Sequence, residues 1–176
     1  MIIHNLVKFV KMKKVMVLLV AVFLYSQSAL CQVQSVVRLG TAALEKNNFS
    51  QVKQMFNGEG FAIAEYAPSN SDTYAVGMDG RGDFSLMWTI EANPNHTIKE
   101  VSFLCGAMYW CGIEDVLKQA GYVFARKGTA TLGNGATVPQ KTYSKKNKRC
   151  MVRTLDNAMA QVVFKRQATP TVKRKK

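Results

Sequence analysis

The chain has 176 residues, 48% of them hydrophobic, with 24 Lys and Arg against 11 Asp and Glu for a formal net charge of +13. That much apolar material excludes a wholly disordered chain. Four cysteines and two histidines exclude a disulfide-dense scaffold and a rich metal centre.

In chain order, Lys13 and Lys14 follow Met12, an apolar run Val15 to Tyr25 comes next, and Ser26-Gln27-Ser28-Ala29 ends it. A basic start, a short apolar core and a small-residue end form a bacterial-type secretory signal. The run has 11 residues, too few to cross a hydrocarbon core of ~30 Å. Residues 1–31 are therefore read as a cleaved leader, with Met12 as the ordinary start and residues 1–11 as an upstream extension. Cleavage after Ser28 or Ala29 is the alternative. A lipoprotein reading would make Cys31 the lipidated residue, but Leu30 stands where a lipobox wants Gly, Ala or Ser. The mature chain is expected to be exported, periplasmic or secreted, without a transmembrane segment, and to fold as one α+β domain over residues 32–166. Residues 167–176 form a disordered basic tail.

Val33, Val36, Val37, Gly40 and Leu44 fall on one helical stripe, which Asn47-Asn48 interrupts. Ser50 can cap a second helix, Gln51 to Phe56, ended by Asn57-Gly58. Strands are expected at Phe61–Tyr66, Thr73–Met78, Phe84–Glu91 and Ile98–Cys105, with Phe84, Leu86, Trp88 and Ile90 on one face of the third. Ile113, Val116, Leu117 and Ala120 sit at i, i+3, i+4 and i+7 and predict a helix. Glu114 and Asp115 suit its start and Lys118 its end, and Gly121 can cap it. Strands follow at Tyr122–Arg126, Lys141–Ser144, Lys148–Leu155 and Ala158–Lys165. Gly128–Pro139 reads as a Gly/Thr-rich loop and Asp156-Asn157 as a tight hairpin.

The resulting order, α-ββββ-α-ββββ, suggests two tandem helix-plus-antiparallel-sheet units, at about 33–105 and 111–166. Lys53-Gln54 with Gly60-Phe61-Ala62-Ile63 matches Lys118-Gln119 with Gly121-Tyr122-Val123-Phe124. Trp88-Thr89-Ile90-Glu91 matches Arg153-Thr154-Leu155-Asp156, at an offset of 65 residues. In this order of elements, over most of residues 33–166, the chain resembles the β-lactamase inhibitor protein fold and the PepSY-like exported domains. The resemblance implies a non-catalytic role in binding proteins at the cell envelope and implies no particular residues.

The charge is segregated. Residues 32–125 hold 6 basic and 10 acidic residues, whereas residues 126–176 hold 14 basic residues and one acid, Asp156. Lys145-Lys146-Asn147-Lys148-Arg149 and Lys173-Arg174-Lys175-Lys176 carry much of the excess. Such a surface suits an envelope protein, an anionic lipid or a glycolipid such as lipopolysaccharide. Nucleic acid is not expected, because no aromatic residue is interleaved with the basic runs. Oligomeric state is open.

Cys105, Cys111 and Cys150 remain after the leader and are disulfide candidates in an oxidising compartment; Cys105 with Cys111 is the first pairing, and Cys150 with either is the competitor. No metal or cofactor motif is present. Cys111 sits before a helix start, which favours a thiolate nucleophile. Cys111-Gly112-Ile113-Glu114-Asp115 resembles the nucleophile helix of NlpC-type cell-wall endopeptidases, which implies a thiol-dependent hydrolase. That family needs a downstream histidine, and none follows His96. Arg81-Gly82-Asp83 spells an adhesion tripeptide inside a glycine-rich turn. The constellation of most interest is on the last strands. Cys150 and Val152 should face the core, while Arg149, Met151 and Arg153 face outward beside Met159, Gln161, Val163 and Lys165. An outer face mixing methionine and cations suits an adaptable protein partner or an anionic amphiphile. Trp110, in the cysteine loop, is a further contact candidate. The leading expectation is a non-catalytic binding module. The alternatives are the thiol hydrolase and an amphiphile carrier with its site between helices and sheet.

Overall fold

The computed structural model describes residues 33–66, 73–79, 86–106, 112–155 and 159–167. Residues 1–32, Arg81-Gly82-Asp83, Trp110, Cys111, Asp156-Asn157 and residues 168–176 lie outside these residues.

The first helix, α1, covers 33–46 and buries Val33, Val36, Val37, Leu39, Ala43 and Leu44, the stripe set by a 3.6-residue period. It stops at Asn47, whose backbone is left-handed at φ 49°, a conformation asparagine tolerates better than most residues. The second helix, α2, is Phe49–Gly58. Its cap is Asn48 and not Ser50: Asn48 is extended, and its side-chain oxygen accepts from the Gln51 amide at 3.1 Å. Starting one residue after Asn48 lets α2 bury Phe49 as well as Val52 and Phe56.

Four strands follow: β1 (Phe61–Tyr66), β2 (Thr73–Asp79), β3 (Leu86–Ala92) and β4 (Ile98–Gly106). The third helix, α3, is Ile113–Gln119, with Gly112 at its cap in the left-handed region. Then come β5 (Val123–Thr131), β6 (Thr137–Lys145), β7 (Lys148–Thr154) and β8 (Met159–Arg166). Among the described residues the strands form one eight-stranded sheet in the order β1-β2-β3-β4-β8-β7-β6-β5. Every neighbouring pair is antiparallel. Helices and an antiparallel sheet thus make up an α+β fold, and no described helix is long and apolar enough to cross a membrane.

The helices contribute to a single buried cluster with one face of the sheet. Its centre is aromatic. Phe56 of α2 lies 4.2 Å from the Trp88 ring by centroids, and Phe164 meets Phe103 and Tyr122 edge-on at 6.1 and 6.3 Å. Such pairs add to the area they bury. Gly40 brings α1 down onto Phe164: an added Cβ there would stand 2.3 Å from the ring.

Two further sequence expectations change. Gly128–Pro139 is not a loop. β5 and β6 pair from Val123↔Ser144 to Thr131↔Thr137, and the turn is only the segment between Leu132 and Ala136. Gly135 takes a positive φ of 82° there, as a three-residue hairpin loop requires. Exposure of this hairpin removed the apolar alternation that marks a strand. The internal match of Trp88 with Arg153 also fails by register. Trp88 pairs with Phe103 and faces the helices, whereas Arg153 pairs with Gln161 on the opposite face.

Candidate binding surface

The face of the sheet turned away from the helices is built by strand register into three rows. Reading from β3 to β6, the first is Glu91, Glu100, Lys165, Arg149 and Ser144. The second is Thr89, Ser102, Val163, Met151 and Thr142, and the third is Met87, Leu104, Gln161, Arg153 and Gln140. Alternation along each strand puts these residues on one side, and antiparallel pairing places them side by side.

Arg149 and Lys165 pair across β7 and β8, and Arg153 lies on the same face two rows away; each is half-buried. Arg153 is held in place. Its Nε donates to Gln140 Oε1 at 2.9 Å and its Nη1 to Gln161 Oε1 at 3.0 Å. Gln140 in turn donates from Nε2 to the Thr142 hydroxyl at 3.3 Å. The acceptors that fix the guanidinium are neutral, Glu100 interacts with it electrostatically, and it still has donors to offer.

Met151 lies on this face but is only 5% exposed, and Val163 beside it is fully buried. The middle row is therefore closed: it runs between two rows of long, half-buried side chains, and the accessible groups are those of the flanking rows. Met159 pairs with Gly106 at the end of β8, half-buried. Met87, at 37% exposed, is a methionine of this face that reaches solvent.

Glu100 was not anticipated. Burial pushes its carboxyl above the usual range, Lys165 and Arg153 act against that shift, and Glu91 adds to it. Its cross-strand neighbours are Glu91 on one side and Lys165 on the other. Gln140 was also missed. The alternation in β4 could have placed Glu100 outward, but nothing short of the β4·β8 pairing sets it against Lys165.

Cys150 is not a disulfide partner. It is a free, fully buried thiol between Tyr143 and Phe164 in the register, and burial pushes its pKa well up. Cys105 lies two strands away, paired with Ala160, which pairs with Thr154, four residues along β7 from Cys150. At ~4.8 Å per strand and ~3.3 Å per residue the Cα atoms are roughly 16 Å apart, beyond the ~7 Å that a disulfide spans.

On the helix side, surface hollows flank the core among the described residues. One of about 500 Å³ lies between α1 and α3, lined by Arg38, Thr41, Glu45 and Lys145 among others. Another, of about 480 Å³, is bounded by Ile113, Glu114, Lys141 and Val152. Lys141 is ion-paired with Glu114 and Lys148 with Glu45. Lys145 Nζ donates to the Ala120 carbonyl at 2.6 Å, which caps α3. Much of the basic run between β6 and β7 is thus engaged in binding the helices to the sheet. His96 is exposed in the turn between β3 and β4 with φ 61°, and its carbonyl accepts from the Phe49 amide at 3.0 Å.

No family model matches the chain, nor does any curated protein or solved structure.

Proposed function

We propose that the chain is an exported, non-catalytic binding module that takes a protein or an anionic envelope ligand on the sheet face opposite the helices. One observation carries the reading: Arg153 is clamped between Gln140 and Gln161, with Arg149 and Lys165 on the same face two rows away, across the closed Met151–Val163 row. A cation held rigidly before its ligand arrives loses little side-chain entropy on binding.

The two-unit reading belongs with this proposal. Strands β4 to β1 and β8 to β5 run outward in the same sequence from the β4·β8 pair, the order that two α-ββββ units joined at their last strands would produce. It supports the resemblance to the β-lactamase inhibitor protein fold and the PepSY-like domains, both of them binding modules. Export is part of the proposal and rests on residues 13–31.

The test is charge reversal. Arg149→Glu with Arg153→Glu should abolish capture of the partner from envelope extract, while the circular dichroism and melting of the variant stay near those of the parent. Capture of the same partners by the folded variant would refute this surface. Fractionation of cells producing the chain should find it outside the cytoplasm; an intact precursor in the cytosol would refute export.

A further inference from the structure

Among the described residues strand β5 is the free edge of the sheet in its C-terminal half, and Val123 to Thr129 are all exposed. Val123 stands at 70% and Phe124 at 46%, large values for apolar side chains. Which main-chain groups face outward follows from the hairpin that ends the strand. The Leu132 amide donates to the Ala136 carbonyl at 2.8 Å, and the Gly135 amide to the Leu132 carbonyl at 2.9 Å, so Leu132 and Ala136 form a hydrogen-bonded pair. Bonded and non-bonded pairs alternate in an antiparallel ladder. Ala130↔Val138, Gly128↔Gln140 and Arg126↔Thr142 are then bonded. Thr131↔Thr137, Thr129↔Pro139 and Lys127↔Lys141 are not. Proline has no amide to donate, and Pro139 falls at a non-bonded position, as this phase demands. The N–H and C=O groups of Lys127, Thr129 and Thr131 therefore point away from β6 along the open edge.

The charge beside that edge selects what can pair with it. Strand β5 carries Arg126 and Lys127 and no acid, and β6 adds Lys141 and Lys145, which are engaged by Glu114 and by the Ala120 carbonyl. We infer that the β5 edge receives an extended acidic segment of another protein as an added strand. Main-chain bonds to Lys127, Thr129 and Thr131 hold it, and Arg126 and Lys127 select for acidic side chains. A second copy of the chain would lay one cationic strand beside another, an unfavourable pairing. Arg126 pairs with Thr142 and so shares the outer face with Arg149 and Arg153, two strands further out, but the inference rests on the main-chain edge and not on the reading given for that face.

Pro139 suggests the decisive variant. Thr129→Pro removes one outward amide and leaves the bonded pairs of β5 with β6 in place; Thr129→Ala keeps the amide. A fluorescein-labelled peptide of alternating Glu and Val, titrated by anisotropy against the whole chain, should bind, and a Lys/Val peptide should not. Thr129→Pro should weaken binding by roughly fivefold or more, the effect of losing a main-chain bond at the strand, and Arg126→Glu with Lys127→Glu should abolish it. Amide exchange at Lys127, Thr129 and Thr131 should slow when the peptide is added, with Gly128 and Ala130 unchanged. Arg149→Glu should leave peptide binding as it was, so failure of the sheet-face reading is separable. Equal affinity of the Pro and Ala variants, no binding of the Glu/Val peptide, or a dimer in sedimentation that Thr129→Pro dissociates would each overturn the inference.

Discussion

Replacing Gly40 by alanine sets two effects of opposite sign against each other. In an ordinary helix the change should stabilise by about 1 kcal/mol, because alanine has the higher helix propensity. Here the added carbon would stand 2.3, 2.5 and 2.7 Å from three atoms of the Phe164 ring. The ring is completely buried, with Phe103 and Tyr122 edge-on to it at 6.1 and 6.3 Å and Val101 and Cys150 as its cross-strand neighbours. It has no room to step aside, so α1 must lift. Overpacking of a closed core costs up to about 3 kcal/mol. The net expectation is a loss of about 2 kcal/mol, or a fall of roughly 4–8 °C in Tm for a domain of this size. Urea and thermal unfolding would measure it. A cycle with Phe164→Leu should show that the two changes are coupled, the loss from Gly40→Ala shrinking when the smaller side chain makes room. An alanine variant as stable as the parent would mean that helix propensity outweighs the contact and would refute the close packing of α1 on the sheet.

Glu100→Gln should stabilise the protein at neutral pH. The folded state raises the Glu100 pKa above its ordinary 4.5, so its contribution is fullest below that value and falls as pH rises through the folded-state pKa. Urea midpoints should show the variant gaining on the parent between about pH 4 and about pH 7; an equal difference at both would contradict a desolvated carboxyl. Tyr122, pushed up to about 12 by burial against a countering bond from Thr41, should lose stability as pH rises from its ordinary 10.0 toward that value. Tyr122→Phe should unfold less steeply in alkali and cost about 1 kcal/mol at neutral pH by losing the 3.0 Å bond to Thr41; an unchanged alkaline profile would refute the role of Tyr122. In the native protein the Cys150 thiol should not react with a disulfide reagent on the time scale of exposed thiols, and it should react at once in denaturant. Peptide mapping of the labelled site would check this, and rapid native labelling at Cys150 would contradict its burial.

Much of the local architecture is legible in the chain itself. The stripe Val33, Val36, Val37 and Leu44, the pattern around Ile113 and the alternation through Trp88 and Ile90 each report the few residues around them, and each element formed close to where its period places it. The outward direction of Arg149, Arg153 and Lys165 was legible for the same reason, since a strand alternates regardless of its neighbours. What failed was either exposed or long-range. The β5·β6 hairpin carries glycine, threonine and lysine because it projects into solvent, and without an apolar side there was no alternation to read.

The order of the strands, the alignment of Glu100 with Lys165 and Arg149, the clamp on Arg153 and the isolation of Cys150 all depend on which strand lies next to which. Periodicity along a chain determines faces, because side-chain direction repeats within a few residues. Neighbours across a sheet are decided by the sum of many contacts between segments far apart in sequence, and Gly40 shows the difference most plainly. Its place on the α1 stripe was set by the helical period. Its need to be glycine came only from Phe164, a residue more than a hundred positions away on the strand that α1 covers.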